Sequence, residues 1–311
     1  MKIYMAPMEG VTGFIFRNAY NRNFHGIDTY YTPFVTGMKL GQKEKNDVRP
    51  ENNPDMNTVV QVLSNHTDDF LSVANIIHNE YGYDRINLNL GCPSATVSSR
   101  KRGSGFLSVP DDLDRFLGEI YEQSPIPISL KTRIGMHDAS EWENILSIYE
   151  KYPVEELIIH PRIRDAFYGG LPNMEAFRYA YDNSRHTLCY NGDVRSLADY
   201  ERIVADFPSV PSVMIGRGLI MNPFLPEEIK GISSNIPKRT RLINFEKDLQ
   251  ETYLMYNKSG AHHVLMKLKE VWNFYCYNFT EPDKVFKKIK KTATMDDYRS
   301  VLHEVFQMDI K

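Results

Sequence analysis

Residues 111–132 read DDLDRFLGEIYEQSPIPISLKT. The part at 111–123 is an amphipathic helical segment opening on aspartate, and IPISLKT at 126–132 is a short apolar, β-branched run. A helix that feeds a strand is the repeating half of a parallel sheet, and the pattern recurs along the chain. Candidate strands are IYMAP (3–7), TYYTPFV (29–35), TVVQVL (58–63), RINLNL (85–90), IPISLKT (126–132), ELIIHP (156–161), TLCYNG (187–192) and SVMIG (212–216). Amphipathic segments between them include DDFLSVANIIHNEY (68–81), ASEWENILSIYEKY (139–152) and SLADYERIVADF (196–207), several with Asp or Ser expected at the N-cap. This alternation predicts an α/β fold, a TIM (β/α)8 barrel that closes near residue 225.

Beyond PFLPEEIKGISSNIPK the strand signal stops. The stretches at 244–260, 262–279 and 295–307 have helical periodicity. The expected organisation is a barrel domain over 1–235 and a small helical domain over 236–311.

The chain has 311 residues, 42% hydrophobic and 25% charged, which suits an ordinary soluble protein with a sizeable core. No apolar run approaches a membrane span, the start MKIYMAPMEG has no signal-peptide core, and a cytoplasmic protein is expected. Cys92, Cys189 and Cys276 are widely spaced, which argues against a disulfide framework and against a CxxC zinc site, so no metal is expected. The net charge of −3 hides an asymmetry, because residues 236–311 alone hold 14 Lys+Arg against 10 Asp+Glu. The excess sits in PKRTR (237–241) and KVFKKIKK (284–291), either a solvated helix face or a surface that follows phosphates.

A TIM barrel carries its active site at the C-terminal strand ends. Those ends are unusually polar here: Glu9 after the first strand, Gln61 on the third, Asn89 and Cys92 on the fourth, and Lys131 and Arg133 on the fifth. His160 and Arg162 follow on the sixth, Asn191-Gly192-Asp193 on the seventh and Gly216-Arg217-Gly218 on the eighth. Each has a structural explanation when taken singly; together they describe a site. The glycine-flanked Arg217 turn after the last strand offers backbone N–H donors and a fixed cation, as a phosphate site requires. It lacks the glycine spacing of a dinucleotide fingerprint.

MAPMEGVT, NLGCPS with a following GSG, KTRIG, IHPRIR, NGD and GRGLIMNP, in this order, resemble the flavin-dependent tRNA-dihydrouridine synthases over essentially the whole chain. The resemblance implies FMN as cofactor and NADPH as electron donor. It implies that Pro7, Met8 and Glu9 run along the flavin ring, that Gln61 and Lys131 meet its edge, and that His160 is a cofactor contact. Asn191, Gly192, Asp193, Gly216 and Arg217 would hold the ribityl phosphate. A cation at the position of Lys131 also has a physical rationale, since it stabilises negative charge on the reduced ring. Asn89 would meet the target uracil. Cys92 matches the catalytic thiol.

Reducing the C5=C6 bond of uracil takes a hydride at C6 and a proton at C5. A thiol of ordinary pKa, about 8.5, is protonated at neutral pH and still acidic enough to give up its proton, so Cys92 suits the donor role. Cys189 and Cys276 read better as small buried hydrophobes. Arg100, Lys101, Arg102 and Arg162, with Lys287, Lys288, Lys290 and Lys291, are the expected contacts to tRNA or another structured RNA. The chain departs from the family pattern at Gly13, Gly105-Phe106, Ile163 and Ala166, none of them a proposed catalytic group. Two other readings are a flavin enzyme acting on a free pyrimidine, similar to dihydroorotate or dihydropyrimidine dehydrogenases, and a non-catalytic RNA-binding barrel.

Overall fold

The computed structural model describes residues 1–256 and 259–311. Asn257 and Lys258, within the helical stretch expected at 244–260, lie outside the described residues. Eight parallel strands close into a barrel: β1 (Lys2–Met5), β2 (Thr29–Tyr31), β3 (Thr58–Val62), β4 (Ile86–Leu90), β5 (Ile128–Arg133), β6 (Leu157–His160), β7 (Leu188–Asn191) and β8 (Ser212–Ile215). Each strand pairs with the next in sequence, and β8 pairs back to β1 from Lys2 opposite Ser212 to Met5 opposite Ile215. All eight expected strands form. The run expected at 29–35 is interrupted, with β2 ending at Tyr31 and Val35 making only an isolated bridge to Val62. Pro33 lies between them and has no N–H to give to a ladder.

The expected Asp and Ser caps are corrected in most places. The helix Pro110–Gln123 begins with proline in its first turn, and Asp111 and Asp112 follow inside that turn, where the helix dipole favours carboxylates. Asp68 and Asp69 occupy the same place in the helix Thr67–Asn79, and Ser140 makes no capping bond to the helix Glu141–Tyr149. Only Ser196 caps as expected: its Oγ accepts from the Asp199 N–H at 3.2 Å, and the Asp199 carboxylate accepts from the Ser196 N–H at 3.0 Å.

The chain divides into two compact units. The first comprises Met1–Pro7, Asp28–Asp193 and Arg202–Ile215 and holds the whole barrel. Strand residues alternate between its two faces. Ile86, Leu88 and Leu90 on β4, and Ile128 and Leu130 on β5, are completely or almost completely buried on the helix-facing side. The other phase lines the interior: Tyr4, Tyr31, Val59, Ile158, Cys189 and Met214 form a buried cluster, and Asn87, Asn89, Ser129, Lys131, Arg133, His160 and Asn191 continue that phase. At the N-terminal end, Ser212 and Tyr4 donate to Glu156 at 2.7 and 3.1 Å.

The second unit comprises Met8–Ile27, Val194–Glu201 and Gly216–Lys311, so it takes in the helix Phe14–Asn23 as well as the helices after 235. That helix packs on the helix Lys238–Tyr256 through an aromatic core in which Phe245 meets Phe16, Tyr20, Phe24 and Tyr275 edge-on or tilted. A buried ion pair links Arg241 to Glu227, with one bond at 2.8 Å. The helices Ala261–Tyr275, Pro282–Lys291 and Met295–Val305 complete this unit. Among the described residues no helix is long and apolar enough to cross a membrane, and no cluster of His, Cys, Asp and Glu could hold a metal.

Candidate active site

The alternation of strand residues brings Gln61, Asn89, Lys131, His160 and Asn191 onto the inner face of one barrel, near its C-terminal rim. Two of them, Gln61 and Asn89, belong to a ladder of side-chain hydrogen bonds that continues through Asn87 and Ser129. Asn89 donates to Gln61 Oε1 at 2.7 Å, Gln61 donates to Asn87 Oδ1 at 2.8 Å, and Asn87 donates to Ser129 Oγ at 2.9 Å. Ser129 donates in turn to the Ile86 carbonyl at 3.3 Å. All the amides are buried, so their donors and acceptors would be costly to leave unpaired.

Asn89 also fixes the thiol-bearing loop. Its Oδ1 accepts from the backbone N–H of Gly91 at 3.0 Å and of Cys92 at 2.9 Å. On the other side, Ser104 holds the Cys92 carbonyl through its Oγ at 2.7 Å and its N–H at 3.2 Å. Gly103 has φ +56°, and a Cβ there would lie 3.0 Å from both the Cβ and the carbonyl oxygen of Cys92. The glycines of GSG are therefore required by close approach. Gly105 shows the same constraint, since its Cβ would sit 2.3 Å from the Ser98 carbonyl. Cys92 itself is half-buried, whereas Cys189 and Cys276 are buried, as expected of packing residues; burial pushes the Cys189 thiol up.

Lys131 stands opposite Asn89 in the β4–β5 register. Its ammonium has no hydrogen-bond acceptor and no carboxylate partner among the described residues. Burial first, and then the neighbouring Arg133 guanidinium, together lower its pKa to about 8. Arg133 is 1% exposed and donates to the carbonyls of Gly91 at 3.0 Å and Ile163 at 2.9 Å, bracing the loops after β4 and β6. Tyr168 lies over the same guanidinium at 5.4 Å and tilts against His160 with ring centroids 6.1 Å apart.

Arg162, an expected RNA contact, is buried in the barrel unit. Its side chain is 1% exposed, and it donates to the carbonyls of Gly169 and Gly170 and to Asp193 at 2.7 Å. It also donates to His160 Nε2 at 3.0 Å. Arginine can only donate, so Nε2 is the acceptor and the ring proton sits on Nδ1. Asn191 donates to the Met214 carbonyl at 2.8 Å. Asn89, expected on the uracil, bonds the loop through Oδ1 and Gln61 through its amide, with one amide N–H left over. Asn87, Ser104 and Tyr168 carry parts of this arrangement without having been singled out for them, and Arg133, noted at the end of the fifth strand, proves to be a brace between loops. For Asn87 the signal was present, since it stands two residues before Asn89 and therefore on the same face.

Of the remaining expected positions, Pro7 and Gly192 are half-buried in the barrel unit. Met8, Glu9, Gly216 and Arg217 belong to the second unit. There the Met8 carbonyl accepts from the N–H groups of Val11 and Thr12, forming a tight turn, and Gly216 precedes the short helix Arg217–Met221. Arg100 and Lys101 are exposed, but Arg102 is bonded to Asn65 at 3.0 Å and paired with Asp69 at 3.6 Å. On the helix Pro282–Lys291, Lys287, Lys290 and Lys291 are exposed, while Lys288 is paired with Glu304 at 2.7 Å.

The barrel resembles solved structures that share its fold alone: morphinone reductase (13% identity, 77% of this chain and 88% of that chain, TM-score 0.53) and histamine dehydrogenase from Rhizobium sp. 4-9 (11%, 99% and 62%, TM-score 0.56). Curated relatives are closer in sequence. tRNA-dihydrouridine synthase B of Pasteurella multocida is 28% identical over 88% of this chain and 78% of its own length. The tRNA-dihydrouridine(16) synthase of Neisseria meningitidis serogroup B is 25% identical over 97% and 94%. The tRNA-dihydrouridine(20/20a) synthase of Vibrio parahaemolyticus is 28% identical over 78% of each chain. A family model described as Dihydrouridine synthase (Dus) matches residues 4–310, and the chain belongs to that family.

Proposed function

We propose that the chain reduces the C5=C6 bond of a uridine in tRNA, with FMN as its bound cofactor and NADPH as the reductant. The observation that carries this reading is Lys131, a desolvated ammonium with no acid partner among the described residues, placed across from the amide that pins the Cys92 loop. A cation so placed fits a ligand that brings negative charge with it. The free-pyrimidine alternative is not favoured, because the family match runs through the helical residues as well as the barrel.

Bound FMN would supply the hydride that adds to C6 of the uracil. Lys131 and Gln61 would meet the ring edge, with Pro7, Met8 and Glu9 beside it; His160, Asn191, Gly192, Asp193, Gly216 and Arg217 would hold the ribityl phosphate. Arg162 acts behind them. It fixes the His160 tautomer, so that Nδ1–H is the side that donates. Cys92 Sγ–H would give its proton to C5. Asn89 and Ser104 hold the backbone of that residue from both sides, so the thiol is presented by a rigid loop. The RNA would be gripped by the exposed cations, Arg100 and Lys101 on the barrel unit and Lys287, Lys290 and Lys291 in a helical RNA-binding domain over 236–311. Arg102 and Lys288, already paired, contribute less.

The test separates the two half-reactions. Purified protein should carry FMN, and Cys92→Ala should leave flavin reduction by NADPH nearly intact while slowing reoxidation by tRNA, by roughly 10² to 10⁴ for a lost general acid. Cys189→Ala is the control and should cost stability only. Protein that takes up no flavin, or flavin reoxidised by free uracil or orotate as readily as by tRNA, would overturn the reading.

A further inference from the structure

The second unit contains a cavity of about 360 Å³, within the size range of small-ligand sites, that the chemistry above does not use. Arg195, Lys238 and Lys311 supply three cationic side chains to its lining, Tyr277 and Phe224 supply aromatic faces, and Glu228 supplies a side-chain carboxylate. These residues come from five separate parts of the chain. Glu228 is already satisfied, since it accepts from Asn222 at 3.0 Å and pairs with Lys238 at 3.4 Å. Beyond that pair, the charged side chains of the lining are those of Arg195 and Lys311, both cationic.

Two groups in it lack partners. Among the described residues the Lys311 ammonium makes no ion pair with any side chain, and the Tyr277 hydroxyl makes no hydrogen bond. Lys311 stands 6.0 Å from the centroid of the Tyr277 ring, which is 39% exposed, and Lys238 stands 5.0 Å from that of Phe224. Cations set beside aromatic faces suit a ligand that is anionic at one end and flat at the other. An acidic peptide would use the cations but leave the tyrosine face without a matching group.

We propose that this cavity binds one nucleoside phosphate, its phosphate among Arg195, Lys238 and Lys311 and its base against Tyr277. The unit could arrive as a residue of the RNA or as a free nucleotide. The RNA source rests on the function proposed above, and the free-nucleotide source does not.

The experiment uses the full FMN-loaded chain in its oxidised state, with UMP and AMP as small probes and unmodified tRNA as the large one, each titrated at several salt concentrations. Tyr277→Ala should weaken the probe that belongs there by roughly 5- to 100-fold, the range of a lost base–aromatic stack, and Tyr277→Phe should restore most of that affinity. Lys311→Gln should flatten the slope of log affinity against log salt by about 0.7 if the contact is to a single-stranded phosphate. Sensitivity of tRNA alone identifies an RNA residue, and saturable, variant-sensitive binding of UMP or AMP identifies a free nucleotide. If Tyr277→Ala and Lys311→Gln leave the affinities for all three probes unchanged, the pocket assignment is wrong. Because no turnover is measured, an inactive protein whose probes still respond to the variants would sink the reductase reading and leave the pocket standing.

Discussion

Asn89→Ala removes three hydrogen bonds at once: the acceptor for the N–H groups of Gly91 and Cys92, at 3.0 and 2.9 Å, and the donor to Gln61 Oε1, at 2.7 Å. Gln61 is completely buried and Gly91 is buried, whereas the half-buried Cys92 leaves room for water near its own N–H. Two orphaned buried groups at about 1–3 kcal/mol each predict a loss of about 2–4 kcal/mol, once some relief by water in the vacated space is allowed. Asn89→Asp separates the two roles. Its carboxylate still accepts from both loop N–H groups, and the ladder beyond it can reverse, with Gln61 donating to residue 89, Asn87 to Gln61 and Ser129 to Asn87. The bond given up is the weak one from Ser129 to the Ile86 carbonyl, at 3.3 Å, and Lys131 stands in register to oppose the new charge. The expected cost is about 1 kcal/mol. Urea unfolding of the two variants measures this difference. Rapid mixing measures the functional one: a loosened Cys92 loop should slow reoxidation by tRNA about 10²-fold in Asn89→Ala and leave reduction by NADPH unchanged. Equal destabilisation by Ala and Asp, or reoxidation as fast in Asn89→Ala as in the parent protein, would refute the assignment of Asn89 as the residue that positions the thiol.

Three further outcomes are expected. Lys131→Met should stabilise the flavin-free protein by about 1–3 kcal/mol at pH 7 while lowering its affinity for FMN, because it removes a cation whose pKa burial has depressed to about 8; a melting temperature that falls instead would show that the ammonium is satisfied. Burial raises the Glu246 carboxyl, which accepts from Tyr298 at 2.7 Å, to about 7. The folded protein then holds a proton that the unfolded chain releases near pH 4.5, so stability should fall by up to about 3 kcal/mol as pH rises from 4.5 to 7 and level off above, and urea midpoints of Glu246→Gln should lack that component. Alanine at Lys287, Lys290 or Lys291 should weaken tRNA binding and flatten its salt dependence by about 0.7 to 0.9 per phosphate contact, while Lys288→Ala, whose ammonium is paired with Glu304, should do less; a filter-binding series in which Lys288 matters most would reverse the argument.

The barrel was legible because its strands are short apolar runs separated by amphipathic helices, a pattern set by local periodicity. Within a strand, RINLNL shows that alternate residues share a face, yet nothing local says which phase points inward. That is settled by closure of the sheet, and only then do Asn87, Asn89 and Gln61 become one ladder. The grouping of Met8–Ile27 with the helices after Gly216 was not legible at all, because it rests on contacts between residues more than two hundred positions apart, such as Tyr20 with Pro223.

Arginine and lysine show why counting charge in a sequence overstates a binding surface. Each cation enters the count alike, but folding divides them into groups that hold the protein together and groups left to face a partner. Arg162 serves His160, Asp193 and two carbonyls; Arg102 serves Asn65 and Asp69; Lys288 serves Glu304. A paired cation brings its counter-charge with it, so to a distant phosphate the pair is close to neutral. Arg100, Lys101, Lys287, Lys290 and Lys291 remain exposed. On the helix Pro282–Lys291, Lys287 lies three residues from Lys290 and four from Lys291, which sets all three on one face. The basic run therefore reads as a narrow stripe, and its grip on RNA should follow those three positions and not the total charge of the domain.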